Sequence, residues 1–362
     1  MIMDIGTLVG RLSDNIEALC LQLLPAGVKE ANEWRVGSIQ GEAGRSMAVN
    51  LGSAKAGVWC DFGGPPDHRG DALDLIAQVR FGGDKKQALR WARAWLGIDR
   101  VDPNSIAGQQ QARDFERRRR KQRDHAERIR RLAQHLFLSA RQQIAGSMTE
   151  EYLVGRAIDF ARLGRQPGCL RHHDEVEHPE TGELAPCKLQ AITAPDGSFL
   201  GVHRTWLERR SDGSVGKLST VEDAKMTLGT YAGGCVRLWR GSTGKAWKDT
   251  QPGEWILIGE GFEDTATGVM ARPDLRACVA VSLANMGGLV LPEAAEGVII
   301  LAQNDPLQHP EFPDRPHPAR QQLDRVVQNF QLQGKRVRIA RPLAGEAHDV
   351  NELAQQALGR SA

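Results

Sequence analysis

The segment W-I-L-I-G-E-G-F-E-D, residues 255–264, joins a short apolar run to a group of acidic residues. Large apolar residues followed by glycine are typical of a buried strand in a parallel sheet, and a helix is predicted to begin at about Asp264. Ligands of open α/β sheets bind beyond the carboxyl ends of the strands. The acidic residues after this strand are therefore a candidate site.

The rest of the C-terminal third repeats this alternation of strand and helix. Further strands are predicted at 277–281, 297–302 and 335–340, and helices at about 319–333 and from about 351. Apolar strands that alternate with helices predict a mostly parallel sheet covered by helices.

Polar side chains follow three of these predicted strands, as Glu260 to Asp264, Gln303 to Asp305, and Glu346 to Glu352. An acid at the start of a helix often does no more than stabilise the helix dipole. Three such groups at one edge of a sheet instead favour a site for Mg²⁺, which takes oxygen ligands and needs few carboxylates when a substrate phosphate also binds it. The pattern suits metal-assisted phosphoryl chemistry.

These motifs resemble a Toprim domain, the metal-binding fold shared by bacterial-type primases, topoisomerases and some nucleases. The resemblance covers about residues 253–357 and includes the loop at 283–288. The E-G-x-x-D start and the D-x-N end are similar to the primase-like branch of phages and mobile elements. The resemblance implies that three carboxylates are both catalytic residues and metal ligands, namely Glu260, Asp264 and Asp305. It implies that Asp349 is a metal ligand only.

The sequence departs from the Toprim pattern at Gln303, where the family has the first Asp of a D-x-D motif. An amide oxygen still ligates a cation, but more weakly than a carboxylate. The substitution therefore predicts weaker binding of Mg²⁺ or Mn²⁺ and leaves open whether the site is catalytic.

Residues 150–250 are predicted to be rich in β-strands, with strands at 188–192, 199–207 and 235–239. Segments of this region resemble the N-terminal half of the primase catalytic core. The resemblance implies a wall of basic residues that faces the Toprim edge across a cleft for template and nucleotides, namely Arg204, Lys217, Lys225 and Arg237. The alternative for Lys217 and Lys225 is that they are exposed loop lysines.

Residues 1–100 are predicted to form a small α+β module, with a helix at about 5–24, three short strands and two further helices. The W-C-D-F-G-G segment at 59–64 and the helix after it resemble the zinc-ribbon module of primases. A structural zinc needs four ligands, and only Cys60 and His68 lie in the right region. The module is therefore interpreted as a degenerate, zinc-free version, with Cys60 as a core cysteine.

A loop and a long helix at about 113–145 are predicted between these regions. The helix contains four consecutive arginines, Arg117, Arg118, Arg119 and Arg120. Such a run is either the solvated face of a linker helix or a surface that follows nucleic-acid phosphates.

Composition excludes several classes of protein. The chain has 362 residues, 41% hydrophobic and 25% charged, with a net charge of +2. It has no C-x-x-C pair, no signal-peptide pattern and no apolar run long enough for a membrane span, so a cytoplasmic location without membrane contact is expected. A topoisomerase is disfavoured because the only tyrosines, Tyr152 and Tyr231, lie in no recognisable cleavage domain.

The expected fold class is a multidomain α+β and α/β protein. Its regions are a zinc-ribbon-like module (1–100), a loop and basic helical linker (101–149), a primase-core subdomain (150–250) and a Toprim domain (251–362). The expected function in DNA replication is that of a primase-like nucleotidyltransferase that binds single-stranded DNA and joins NTPs with Mg²⁺ or Mn²⁺. The alternatives are a Toprim nuclease and a non-catalytic DNA-binding replication factor. Because no G-x-x-x-x-G-K-[ST] loop is present, a replicative helicase would be a separate partner.

The N-terminal module generates a prediction about zinc. Because two candidate ligands cannot close a structural site, the purified chain should contain no stoichiometric zinc. Elemental analysis of protein purified without chelators tests this, and about one tightly bound zinc per chain would contradict it.

Overall fold

The computed structural model describes residues 4–30, 32–52, 55–65, 68–97, 106–308, 317–343 and 345–359. The chain divides into two compact units, Met1–Arg123 and Asp124–Ala362. Each unit has its own hydrophobic core. Within the described residues, no helix is long and apolar enough to cross a membrane.

The first unit combines helices with a five-stranded antiparallel sheet whose strands pair in chain order. Its elements are α1 (Ile5–Asp14), α2 (Ile16–Leu23), β1 (Val28–Glu30), β2 (Glu33–Val36), β3 (Met47–Asn50), β4 (Trp59–Asp61), β5 (Arg69–Gly70), α3 (Ala72–Phe81) and α4 (Lys85–Trp95). Leu12, Trp34, Trp59 and Leu75 are buried in its core. The predicted α+β module is thus present.

This unit matches its predicted outline at one helix and differs from it at another helix and at two short strands. The helix predicted over 5–24 is two helices, because Asn15 caps α1 and its side-chain amide donates to the Arg11 carbonyl. The helix predicted to open near Asp71 does so, since the Asp71 carboxylate accepts from the N–H groups of Leu73 and Asp74. Strands β1 and β5 were missed because they are only three and two residues long.

Helix α5 (Ile106–Ser139) has 34 residues and runs from the first unit into the second. It begins and ends earlier than the predicted 113–145. Its C-terminal part packs Ala133 and Phe137 into a core of the second unit. This apolar contact explains why only the second half of the helix sequence has an apolar side.

The second unit contains an antiparallel sheet of order β10-β8-β7-β6, with β9 paired to the end of β8. The elements are α6 (Met148–Gly155), β6 (Leu170–Glu177), β7 (Leu184–Thr193), β8 (Phe199–Arg209), β9 (Val215–Lys217) and β10 (Lys225–Gly229). The sequence predicted β7 and β8 but not β6, whose exposed positions hold polar residues. A 3₁₀ turn at Phe160–Leu163 precedes β6.

A second sheet of order β11-β13-β12-β14-β15 follows, and all of its pairs are parallel except β11 with β13. Its elements are β11 (Val236–Arg240), β12 (Trp255–Gly259), α7 (Phe262–Ala271), β13 (Arg276–Val279), α8 (Leu283–Met286), β14 (Gly297–Leu301), α9 (Pro318–Leu332), β15 (Arg336–Ala340) and α10 (Val350–Ala357). The mostly parallel sheet and the mixed fold class are confirmed. Strand β11, predicted as part of the preceding region, is the edge strand of this sheet.

The register of the parallel strands decides where the candidate site lies. Gly259 at the end of β12 pairs with Val279 and with Leu301, and Leu301 pairs with Ala340. The strands therefore end level with one another. The segments that follow β12, β14 and β15 all leave the sheet at this carboxyl edge.

Candidate functional site

Glu260 and Asp305 form the first of two carboxylate pairs at this edge. Glu260 directly follows β12, and Asp305 lies in the segment after β14. Burial raises the pKa of the Glu260 carboxyl, a hydrogen bond from the Leu283 N–H opposes the rise, and the charge of Asp305 adds to it. The two carboxylates therefore repel each other, as they would at a site that binds a cation.

The donor of that hydrogen bond follows a strained residue. Val281 has a φ of 73°, which is in the left-handed region and is unfavourable for a β-branched side chain. This turn brings the chain from the end of β13 to Leu283. No sequence signal pointed to it.

Asp264 and Asp349 form the second pair. The Asp264 carboxylate is buried in the first turn of α7 and accepts from the Asn351 N–H at 3.1 Å. Asp349 caps α10 by accepting from the Glu352 N–H at 2.7 Å. Burial, followed by the charge of Asp349, raises the pKa of Asp264 to about 6.

Two amide side chains of the predicted motifs have structural roles. The Asn304 amide nitrogen donates to the Ala347 carbonyl at 2.7 Å, which fixes the segment after β14 against the segment after β15. Asn351 is buried, and its amide nitrogen donates to the Arg156 carbonyl and to the Thr267 hydroxyl. These contacts position the carboxylates of Asp305 and Asp349.

The carboxylates predicted to share one cation, Glu260, Asp264 and Asp305, are instead divided between the two pairs. Among the described residues, no three His, Cys, Asp or Glu side chains are grouped so as to hold a metal ion, and this includes Cys60 and His68. That Glu260, Asp264 and Asp305 come within reach of one shared cation therefore stays a prediction. A pair of carboxylates still fits Mg²⁺, because this ion keeps several waters and takes its other ligands from substrate phosphates.

A buried ion-pair cluster, missed by the sequence analysis, lies on the other side of α7. The Glu263 carboxylate accepts from Lys188 Nζ at 2.5 Å, from Lys225 Nζ at 3.1 Å and from the Tyr152 hydroxyl at 3.1 Å. Lys188 is fully buried, with its ammonium 4.4 Å from the centre of the Phe262 ring. We call Lys188, Lys217, Lys225 and Glu263 the lysine cluster.

The lysine cluster has an excess of positive charge. Burial raises the pKa of Glu263, but Lys188 and Lys225 outweigh this and hold the pKa well below its ordinary range. Burial lowers the pKa of Lys188 to about 8, although Glu263 opposes the shift. Burial, and then the charge of Lys225, lower the pKa of Lys217. One carboxylate thus faces three ammonium groups, an arrangement that favours an added anion.

A nearby histidine stays neutral beside these charges. Burial, together with Lys188 and Lys225, lowers the pKa of His203 to about 3. Its Nδ1 lies 3.1 Å from the Thr227 hydroxyl. His203 therefore contributes no charge to the cluster at neutral pH.

Arg204 does not share the face of the sheet that holds the lysine cluster. Side chains alternate between the two faces of a strand, and Lys188 and Lys225 both lie opposite Thr205. The buried guanidinium of Arg204 lies 4.7 Å from the centre of the Trp206 ring, on the opposite face. The prediction that Arg204 lines the basic wall is therefore wrong.

Arg237 is also separate from the lysine cluster. Its Nη2 donates to the carbonyls of Ala194 and Pro195, and its guanidinium lies 5.5 Å from the centre of the Trp247 ring. Of the four predicted wall residues, the structure brings together only Lys217 and Lys225.

The arginine run lies on α5 in the first unit. The side chains of Arg117, Arg119 and Arg120 are exposed, and that of Arg118 lies outside the described residues. Its proposed contact with phosphates stays a prediction.

Family models match two parts of the chain. Residues 255–359 match the model described as "Toprim domain", and residues 127–238 match a domain of unknown function (DUF7146). The C-terminal part of the chain is thus a Toprim domain, which confirms the resemblance seen in its motifs. No curated protein matches the chain.

Solved structures similar to this chain include several primases. The primase of Aquifex aeolicus (zinc-binding and RNA polymerase domains) is 12% identical with a TM-score of 0.40, over 98% of this chain and 83% of that one. A DNA primase domain from Pseudomonas aeruginosa is 14% identical with a TM-score of 0.39, over 63% and 74%. The E. coli primase catalytic core is 11% identical with a TM-score of 0.37, over 63% and 76%. Likenesses at this level establish neither the activity nor the ligands of this chain.

The Asp264–Asp349 pair generates a prediction about metal and pH. Since protons compete with a cation for Asp264, the affinity for Mn²⁺ should fall as the pH drops through about 6. Asp349→Asn removes the repelling charge, so this midpoint should move to lower pH although the overall affinity falls. Titration with Mn²⁺ between pH 5 and about 8, followed by electron paramagnetic resonance, measures the midpoint.

Asp274→Asn provides the matched control, because Asp274 pairs with Arg272 before β13, at the opposite end of the strands. This variant should keep the midpoint of the wild type. An unchanged midpoint in Asp349→Asn would show that the two carboxylates do not interact.

The lysine cluster generates a prediction about stability. Glu263→Gln leaves Lys188 buried without its counter-charge and should lower the free energy of unfolding of the second unit by about 3–5 kcal/mol. Adding Lys188→Met, which removes the buried charge, should recover most of the loss. Denaturant unfolding followed by hydrogen exchange in β7 and α7 measures both effects. If Glu263→Gln alone were as stable as the wild type, this would contradict the burial of the pair.

Proposed function

We propose that the chain is a primase-like nucleotidyltransferase that binds single-stranded DNA and joins nucleoside triphosphates into a short primer with Mg²⁺ or Mn²⁺. The observation that carries the proposal is the position of Glu263 between Glu260 and Asp264 in the chain. Glu260 and Asp264 belong to the two carboxylate pairs at the carboxyl ends of the strands, which we call the carboxylate edge. Glu263 instead binds Lys188 and Lys225. One short segment therefore adjoins both the carboxylate edge, whose charge suits a cation, and the lysine cluster, whose charge suits a phosphate.

The residues of the two clusters have different roles in this proposal. A divalent cation, when bound by the carboxylate pairs, neutralises charge on the phosphates and orients the reacting oxygens. Glu260, whose pKa is raised by burial, is suited to accept the proton of the primer 3′-hydroxyl as that oxygen attacks the α-phosphate. Lys217 and Lys225 bind the triphosphate, and pyrophosphate leaves toward them.

Glu263 and Lys188 act as positioning residues. Lys188 is fully buried and Glu263 nearly so, and Glu263 accepts a hydrogen bond at Oε2 from the Lys225 Nζ. Ordering a long lysine side chain before the nucleotide arrives reduces the entropy lost on binding.

A non-catalytic DNA-binding replication factor is the second candidate. It is favoured by Gln303, which replaces a carboxylate, and by the division of the acids into two pairs. In either case we propose that the protein is encoded by a phage or mobile element and acts in the cytoplasm. A separate replicative helicase is the proposed partner.

Primer synthesis tests the proposal directly. With single-stranded DNA, labelled NTPs and Mg²⁺ or Mn²⁺, the wild type should make short primers, and Glu260→Gln or Asp305→Asn should reduce the rate by about a hundredfold or more. Gln303→Asp should lower the Mg²⁺ concentration needed for half-maximal rate, because it restores a charged ligand. Asp324→Asn, an exposed acid on α9, is the control that should change neither quantity.

The other outcomes distinguish the alternatives. Degraded DNA would support a Toprim nuclease, and a mobility shift without any product would support the non-catalytic factor. Full activity in Glu260→Gln would show that the carboxylate edge is not the catalytic centre.

A further inference from the structure

A second basic region surrounds a cavity of about 540 Å³ in the second unit. Its lining comes from the segment before β6, the end of β7, strand β11 and the turn at Trp247. Arg240 and Arg276 lie opposite each other at the amino end of β13. The cavity runs along the edge strand β11 from Arg237 to Arg240, and only its Arg240 end lies at the amino end of β13. We call it the arginine cavity.

The lining of the arginine cavity is strongly basic. Among the described residues it contains four arginines, Arg165, Arg237, Arg240 and Arg276, and no carboxylate. Arg276 is buried and neutralised by Glu254, with Nε 2.9 Å from Oε2. Asp196 interacts electrostatically with Arg237, but no ion pair joins them. Three guanidinium groups therefore leave positive charge around the cavity.

Two of these guanidinium groups are held in place before any ligand binds. Arg165 lies 4.0 Å from the centre of the Trp239 ring and donates through Nη2 to the Gly241 carbonyl at 2.9 Å. Arg237 lies over Trp247 and donates through Nη2 to the Pro195 carbonyl at 2.9 Å. Each keeps further N–H groups, because a guanidinium has five.

Unsatisfied polar atoms border the same cavity. The Nε of Arg237 and the hydroxyl of Thr193 are buried and have no hydrogen-bond partner within the described structure. A buried polar atom without a partner is unfavourable, so a small side-chain movement that exposes these atoms to an acceptor in the cavity would be favoured.

We propose that the arginine cavity binds a phosphate group of a nucleotide or of single-stranded nucleic acid. Planar N–H groups of arginine match phosphate oxygens in geometry and charge. A volume of about 540 Å³ is larger than an inorganic phosphate needs and lies in the range of nucleotide-sized sites. The proposal requires no metal and no nucleotide joining, so it does not depend on the function proposed above.

Binding assays in EDTA test the cavity separately from the carboxylate edge. The probes are fluorescent oligo(dT), measured by anisotropy over a range of salt concentrations, and ATP, measured by calorimetry. In Arg165→Gln/Arg240→Gln, oligo(dT) should bind about tenfold more weakly, and the slope of log affinity against log salt should fall by about 1.4 for two lost phosphate contacts. If the source is a free nucleotide, ATP affinity falls instead.

Two further variants separate the effect of charge from the effect of bulk in the cavity. Arg210→Gln removes one charge from an exposed arginine in the β8–β9 turn, outside the cavity, and should change affinity less than twofold. Gly168→Leu adds an apolar side chain at the cavity lining without changing charge, and a Cβ at Gly168 clashes with nothing because no atom lies within 4 Å. It should weaken binding of the same probe as the double arginine variant.

The combined results decide between the outcomes. Loss of affinity for either probe in both the double arginine variant and Gly168→Leu supports the arginine cavity as a phosphate site. The proposal is overturned if both probes bind these variants as tightly as they bind Arg210→Gln.

Discussion

The buried ion pair between Glu263 and Lys188 is the interaction on which the arrangement of the second unit depends. Lys188 belongs to the antiparallel sheet and Glu263 to the first helix of the Toprim domain. Neither charge can be buried alone, because burying an unpaired ion costs several kcal/mol. The pair therefore requires the antiparallel sheet and α7 to meet in one register. Lys225 and Tyr152 complete the contacts of the same carboxylate.

This constraint places two opposite electrostatic environments next to each other. On one side of α7, Asp264 and Asp349 repel each other, and so do Glu260 and Asp305 at the same edge. On the other side, Lys188, Lys217 and Lys225 exceed their single counter-charge. Each environment is costly in the absence of a ligand of opposite charge. Clusters of this kind are typical of sites that bind charged substrates.

The two sheets of the second unit are also joined through their backbones. Thr193 at the end of β7 and Cys235 before β11 exchange two hydrogen bonds of 3.0 and 3.1 Å. This contact makes β11 the link between the sheets, and the arginine cavity lies beside it. The carboxylate edge lies at the carboxyl ends of the parallel strands, whereas the arginine cavity runs along the edge strand β11, and the two carry opposite charge.

The sequence by itself determined the Toprim domain and most of its acidic residues, because strand-end residues and strand–helix alternation are local signals. It also indicated Lys217 and Lys225. Only the tertiary structure decided which side chains meet: Lys188 and Glu263 are 75 residues apart, and no spacing rule connects them. The face of the sheet on which Arg204 lies was decided by the register of β8 with its neighbouring strands. Local patterns specify elements, whereas pairing between distant charges follows from how those elements pack.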